Sequence, residues 1–258
     1  MRIKFIEAQL MCKEKSSQNN KLFDTVVNKT IAPFLVWIFI NIGLRGNQVL
    51  IVCASIEILG IFMLFTQKIL FMAFGILLLF FGVILDLLDG TVRKYWNESR
   101  VWGIYLDRVM HRLVYPLCYI AIGIYAYLLT SKIEILYFAI SAALFNELNY
   151  FNKIFKILLI GNDKERPTPT RLIRDNLEKT IHKKMLFYSV LMLKRLYDYV
   201  FCNWVQYLIL LSLLLLYKVE MFILFYGIGE PLKWVMNTYL DVKFYYVPDK
   251  SFPQNVYW

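Results

Sequence analysis

Residues 69–90 read ILFMAFGILLLFFGVILDLLDG, a long uncharged apolar run that ends in two aspartates and a glycine. An apolar run of about 20 residues is long enough to cross ~30 Å of hydrocarbon as a helix. In such a helix Asp86 and Asp89 lie three residues apart and share one face. Because an unpaired acid beside hydrocarbon is costly, these two residues indicate a functional site at the end of a membrane span.

The composition of the whole chain agrees with a membrane protein. Of its 258 residues 59% are hydrophobic and 17% are aromatic, whereas soluble domains are typically ~45–50% apolar. The net charge of +10 favours cytoplasmic loops beside anionic lipid over a nucleic-acid partner. Four scattered cysteines predict neither a disulfide framework nor a zinc site, and residues 1–30 lack the pattern of a cleavable signal peptide.

The apolar pattern predicts an all-α polytopic membrane protein with six transmembrane helices. Lys and Arg are dense at residues 1–30, 91–102 and 152–195 and sparse in the other connections. This alternation predicts that both chain ends and the acidic site face the cytoplasm. The six spans are expected at residues 48–66, 69–90, 103–130, 133–150, 199–217 and 219–240.

The remaining segments complete the expected domain organisation. Residues 31–44 are apolar but too short to span comfortably, so they predict an N-terminal interfacial helix; a seventh span is the alternative. We divide the chain into a cytoplasmic segment (1–30), a membrane domain (31–240) and a C-terminal tail (241–258). The domain contains a polar cytoplasmic loop (152–198), which is expected to lead into an amphipathic helix at about 183–198.

A second acidic pair lies near the start of the third expected span. Asp107 and His111 are four residues apart and share a helix face. If the second and third spans meet across the turn at 91–102, their acidic groups face each other below the cytoplasmic surface. Oxygen ligands at this spacing favour Mg²⁺, Mn²⁺ or Ca²⁺ over softer metals, and such an ion can hold a diphosphate.

These residues resemble the signature of the CDP-alcohol phosphatidyltransferases, D-x2-D-G-x2-A-R-x8-G-x3-D-x3-D. Here the string runs from Asp86 to His111 with every spacing kept, and five of the eight specified residues are identical. Residues 43–49, GLRGNQV, are similar to the family's G-[IL]-x-P-N-x-[VL] segment before the first span, with Gly46 in place of proline. The likeness is residue-specific only at 43–49 and 86–111.

The resemblance implies a membrane transferase that moves a substituted phosphate group from a CDP-alcohol to an acceptor alcohol and releases CMP. Such a reaction belongs to phospholipid or related phosphodiester synthesis, uses Mg²⁺ or Mn²⁺, and implies a homodimer in a membrane such as the bacterial inner membrane. By the same resemblance Asp86, Asp89 and Asp107 bind the metal, and His111 stands where the family has the acid that completes the metal site and acts as general base. The residues expected to bind substrate are Gly90, Arg93, Lys94, Gly103 and Asn47. Asn47 is also expected to be the N-cap of the first span.

Three positions depart from the family pattern, and they leave alternatives open. Imidazole at His111 is a competent base but a poorer Mg²⁺ ligand. Arg93 replaces a small residue, and Lys94 replaces an arginine and so loses bidentate phosphate geometry. A catalytically silent homologue is one alternative, and acids paired with nearby arginines instead of a metal is another.

A cation-transporting membrane protein is a further alternative, because acids within spans also mark ion paths. The other span acids, Glu57, Glu147 and Glu230, form no chain that the sequence reveals, which argues against transport. The sequence does not rank the cations that would bind a phosphorylated acceptor: Arg108, Arg112, Lys194, Arg195 and Lys233.

Overall fold

The computed structural model describes residues 3–18, 22–99, 101–160 and 203–245, and in these ranges the chain is helical and contains no strand. The all-α prediction is therefore confirmed for the described residues. The predicted amphipathic helix at 183–198, most of the polar loop and much of the C-terminal tail lie outside them. The helices are α1 (Phe5–Gln18), α2 (Leu22–Lys29), α3 (Ala32–Ile42), α4 (Gly46–Phe65), α5 (Ile69–Trp96), α6 (Val101–Thr130), α7 (Ile133–Ile160), α8 (Asn203–Leu215) and α9 (Val219–Tyr245).

Helices α4 to α9 lie where the six spans were expected, but only three of those described are long and apolar enough to cross a membrane: Gly46–Phe65, Ile69–Trp96 and Gly103–Thr130. This is compatible with a multi-pass membrane protein. Helix α8 has a short described length of 13 residues. Polar side chains such as Glu147 in α7 and Glu230 and Lys233 in α9 interrupt their apolar sequence.

The apolar helices pack around two buried clusters, of which the larger lies among α4 to α9. Helix α4 packs on α5 and α6, α6 also packs on α7 and α9, and α8 packs on α5 and α9. Leu79, Ile122, Leu210 and Tyr226 are among the fully buried side chains of this larger cluster. The site helices α5 and α6 therefore share α4 as a packing neighbour.

Small residues allow the helices to approach closely. A Cβ atom on Gly75 of α5 would lie 2.7 Å from the backbone oxygen of Gly60 in α4. In α9, Pro231 has no N–H for the carbonyl of Gly227, four residues earlier, and Ser141 of α7 donates its hydroxyl hydrogen bond to that oxygen at 3.0 Å. Ser141 thus supplies the hydrogen bond that Pro231 cannot donate, which matters where surrounding hydrocarbon offers no donor.

The N-terminal helices α1 to α3 pack beside α5. Gly43 ends α3 with a φ of +88°, a conformation that glycine adopts without strain. Trp37 and Asn41 of α3 donate hydrogen bonds to the backbone oxygen of Ile3 at 3.2 and 3.3 Å. A helix is thus present at the predicted interfacial segment 31–44.

Two local expectations are corrected. We predicted that the second span would end at Gly90 and turn there, but α5 continues to Trp96 and ends at Asn97, whose φ is +51°. Thr91 and Val92 are buried, which explains why α5 continues as a stable helix beyond Gly90. Helix α4 begins at Gly46 after Arg45, so Asn47 lies in its first turn and is not the N-cap.

Candidate metal site

Helices α5 and α6 bring Asp86, Asp107 and His111 together. One ligand atom of each residue lies within 4.8 Å of the other two. The grouping joins the acid at the end of the second apolar run to the pair at the start of the third. Three of the four residues predicted to bind metal therefore meet in space.

The backbone holds His111 in a defined orientation. Its Nδ1 lies 3.0 Å from the backbone oxygen of Asp107 and 3.1 Å from the Oδ1 carboxylate oxygen of that residue. A carbonyl oxygen can only accept, so Nδ1 carries the proton in this hydrogen bond and Nε2 of the neutral ring keeps its lone pair. The ring of the buried Tyr115 packs edge-on against the imidazole, with centroids 5.3 Å apart.

The three side chains fit a divalent cation. The Oδ1 atom of Asp107 is buried, and its contact with Nδ1 of His111 at 3.1 Å leaves it further acceptor capacity. Metal-binding histidines usually donate their other ring N–H to a carbonyl or carboxylate, which is the arrangement of His111. Two carboxylates with one imidazole suit Mn²⁺, Fe²⁺ or Zn²⁺ better than an all-oxygen set does.

Asp89, the fourth predicted ligand, lies outside this group. Its Oδ2 atom forms an ion pair with Nη2 of Arg93 at 3.0 Å, one helical turn further along α5. Asp89 is 21% exposed and Arg93 is 3% exposed. The alternative that motif acids pair with arginines therefore describes Asp89, whereas Asp86 and Asp107 lie with His111.

Arg93 joins three helices at one end of the bundle. Its Nη1 atom donates to Oδ1 of Asn47 in α4 and to the backbone oxygen of Ser99, both at 3.1 Å. The guanidinium also lies directly against Gly103 of α6, where any Cβ atom would collide with it. Arg93 thus contacts Asn47 and Gly103, two other residues predicted to bind substrate.

The other two predicted substrate residues have different surroundings. Lys94 is exposed and forms an ion pair with Glu14 of α1 at 2.9 Å. Gly90 is partly buried within α5.

Glu57 of α4 also belongs to this region. It is 5% exposed and interacts electrostatically with Asp107, His111 and Asp86. The structure thus links Glu57 to the site residues, a relation that the sequence pattern does not predict. An acid in an apolar run was the available signal, but the sequence does not reveal that α4 packs on both α5 and α6.

The structure distinguishes among the cations proposed for the acceptor. Arg108 is exposed one residue from Asp107, and Lys233 pairs with Glu230 at 3.4 Å. The Arg112 guanidinium lies over the rings of Tyr150 and Phe151, 4.9 and 5.1 Å from their centroids. Lys194 and Arg195 lie outside the described residues.

Comparison with models of known protein families found no match for this chain, and comparison with curated proteins found none either. The family resemblance of residues 43–49 and 86–111 therefore stays a prediction.

Proposed function

We propose that the protein is a membrane transferase that moves a substituted phosphate group from a CDP-alcohol to an acceptor alcohol and releases CMP. The observation that carries this proposal is the meeting of Asp86, Asp107 and His111 within 4.8 Å. Asp86 lies at the start of the sequence pattern and Asp107 and His111 lie at its end, and their proximity supports a common site. A divalent cation there would neutralise charge on the donor diphosphate while the phosphate bond breaks.

In the proposed reaction the acceptor hydroxyl oxygen forms a bond to the β-phosphorus of the donor. The bond from that phosphorus to the bridging oxygen breaks, and CMP leaves with the bridging oxygen. The hydroxyl proton needs an acceptor, and in the neutral form of His111 the Nε2 atom would have a free lone pair because Nδ1 donates to Asp107. One lone pair cannot bind a cation and accept a proton at the same moment, so ligand and base are exclusive roles for this nitrogen.

The proposal extends to the membrane arrangement. Helices α4 to α9 would all cross, with α3 at the interface and the site on the basic side that carries residues 91–102. That side would be the cytoplasmic face of a membrane such as the bacterial inner membrane, and the active form would be a homodimer.

The test is CMP release by the full-length purified protein, with several CDP-alcohols and mixed alcohol acceptors in the presence of Mg²⁺ or Mn²⁺. We expect release that is lost in Asp86→Asn and Asp107→Asn and kept in Glu134→Gln, an exposed acid in the first turn of α7. His111→Ala separates the two roles of imidazole. If His111 is the base, the variant loses CMP release but still binds the ion; if His111 is a ligand, the variant loses both CMP release and ion binding. Absence of CMP with every donor, although the ion binds, would leave a silent homologue.

Glu57 favours a second candidate function, cation transport. A buried acid beside Asp107 and His111 adds a third helix to the charged region within the bundle. Reconstituted vesicles loaded with a Mn²⁺-sensitive dye test this candidate. Ion flux that Asp86→Asn abolishes would support transport, and tight vesicles with active CMP release would exclude it.

A further inference from the structure

Glu57 is a buried carboxyl group in an apolar helix. It lies near the middle of α4, and 5% of its surface is exposed. No hydrogen bond or ion pair of its side chain occurs among the described residues. A carboxylate in such surroundings is strongly disfavoured unless a cation or a set of donors offsets its lost hydration.

Helix α5 has a glycine where the Glu57 side chain lies. A Cβ atom on Gly82 would be 2.5 Å from Cγ of Glu57 and 2.9 Å from its Oε1 atom. Any larger residue at position 82 would therefore displace the carboxyl group. Gly82 precedes Asp86 by one helical turn, so Glu57 lies against the same face of α5 as that ligand.

The depths of the site residues along their helices agree. At 1.5 Å per residue, Glu57 is about 16 Å from the start of α4, and Asp86 is about 15 Å from the end of α5. His111 is about 12 Å from Gly103 in α6. The three helices therefore present their polar groups at similar depth, consistent with the electrostatic interactions of Glu57 with Asp107 and His111.

The charges of these neighbours make a cation the matching ligand. Asp86 and Asp107 are acids, and a third carboxylate beside them adds repulsion. The imidazole of His111 brings at most one positive charge to three carboxyl groups. A doubly charged ion between the helices would offset the repulsion and give Glu57 a partner.

Glu57 lies beside Gly82 and outside the group of ligand atoms within 4.8 Å of one another. We propose that it moves to become the fourth ligand of the cation site when an ion binds, and that three carboxylates and one imidazole then hold a divalent first-row transition ion such as Mn²⁺ or Fe²⁺. Carboxylates alone suit Mg²⁺, whereas imidazole adds preference for transition ions. This inference rests on the cation site of the proposed function but not on its transferase chemistry. Glu57 takes the place of the acid that the sequence pattern lacks at position 111.

The test is Mn²⁺ binding to the full-length purified protein, measured from the electron paramagnetic resonance signal of free Mn²⁺. We expect Glu57→Gln to weaken binding by more than ~10-fold, because even partners outside the ligand set are worth ~10- to 100-fold. Glu57→Asp keeps the charge but is one methylene shorter, so it too should weaken binding. Glu230→Gln is the matched control, because Glu230 is a fully buried acid on α9 that pairs with Lys233.

Co²⁺ gives a second readout that needs no activity. Its visible absorption depends on the number and geometry of its ligands, so the spectrum of the Co²⁺-loaded protein should change in Glu57→Asp and stay unchanged in Glu230→Gln. Wild-type Mn²⁺ affinity and an unaltered Co²⁺ spectrum in Glu57→Asp would overturn the inference, even if Glu57→Gln fails to fold.

The two proposals fail separately. Mn²⁺ binding that depends on Glu57, without CMP release from any donor, would remove the transferase and keep the fourth ligand. CMP release with Mn²⁺ affinity that is insensitive to Glu57 would remove the fourth ligand and keep the transferase.

Discussion

Replacing Gly103 with alanine should disrupt the contact between α5 and α6 at the site. The added Cβ atom would fall on the guanidinium group of Arg93, which has no free space because it is 3% exposed. Arg93 would have to leave its position and lose its hydrogen bonds to Asn47, Ser99 and Asp89. The added methyl group itself is small, so the expected loss of stability comes from displacing Arg93.

The expected destabilisation follows from that loss. Breaking a buried ion pair costs about 3–5 kcal/mol, while an average point mutation costs about 1 kcal/mol. We expect Gly103→Ala to lower the free energy of unfolding by about 3 kcal/mol, because Asp89 keeps some contact with water at 21% exposure. Helix propensity acts in the opposite direction, since alanine exceeds glycine by about 1 kcal/mol.

A double-mutant cycle isolates the contact. Unfolding of the purified protein in mixed micelles, followed by tryptophan fluorescence, would be measured for the wild type, Gly103→Ala, Arg93→Ala and the double variant. With Arg93 truncated, Gly103→Ala should raise stability by about 1 kcal/mol through helix propensity, giving a coupling energy of about 4 kcal/mol. Equal effects of Gly103→Ala in both backgrounds would refute the reasoning.

Three further results are expected. Asp86→Asn should weaken Mn²⁺ binding, measured by titration calorimetry, by more than ~100-fold. Asp89→Asn should weaken it less, because Asp89 is paired within α5. Equal losses in the two variants would contradict the three-residue group. His111→Asp should raise the affinity for Mg²⁺ relative to Mn²⁺, since it replaces a nitrogen ligand with oxygen; an unchanged ratio would count against imidazole as a ligand. Lys94→Ala should change the free energy of unfolding by no more than about 0.5 kcal/mol, because its ion pair with Glu14 is exposed and screened; a larger loss would assign Lys94 a structural role.

Much of the helical framework was predictable from local sequence. Apolar runs and the short polar connections at Gln67-Lys68 and Ser131-Lys132 predict the end of α4, the start of α5, the end of α6 and the start of α7 close to where they lie. The end of α7 is predicted at residue 150 but lies at Ile160. The pattern also misses the end of α5, because Gly90 resembles a stop signal. Burial of the following turn and a left-handed Asn97 decide that end, and neither is visible in the apolar pattern.

Helical periodicity places Asp107 and His111 on one helix face, and the apolar pattern places Asp86 near the end of a run; both relations are local in the chain. Which groups meet across helices depends instead on how the helices pack. Because α4 packs on both α5 and α6, Glu57 lies near the acids of the metal site. Arg93, which packs against Gly103, forms an ion pair with Asp89, and Asp89 lies outside that site. The physical reason is that side-chain spacing within a helix is set by 3.6 residues per turn, whereas partners on other helices are selected by close packing among residues far apart in the chain.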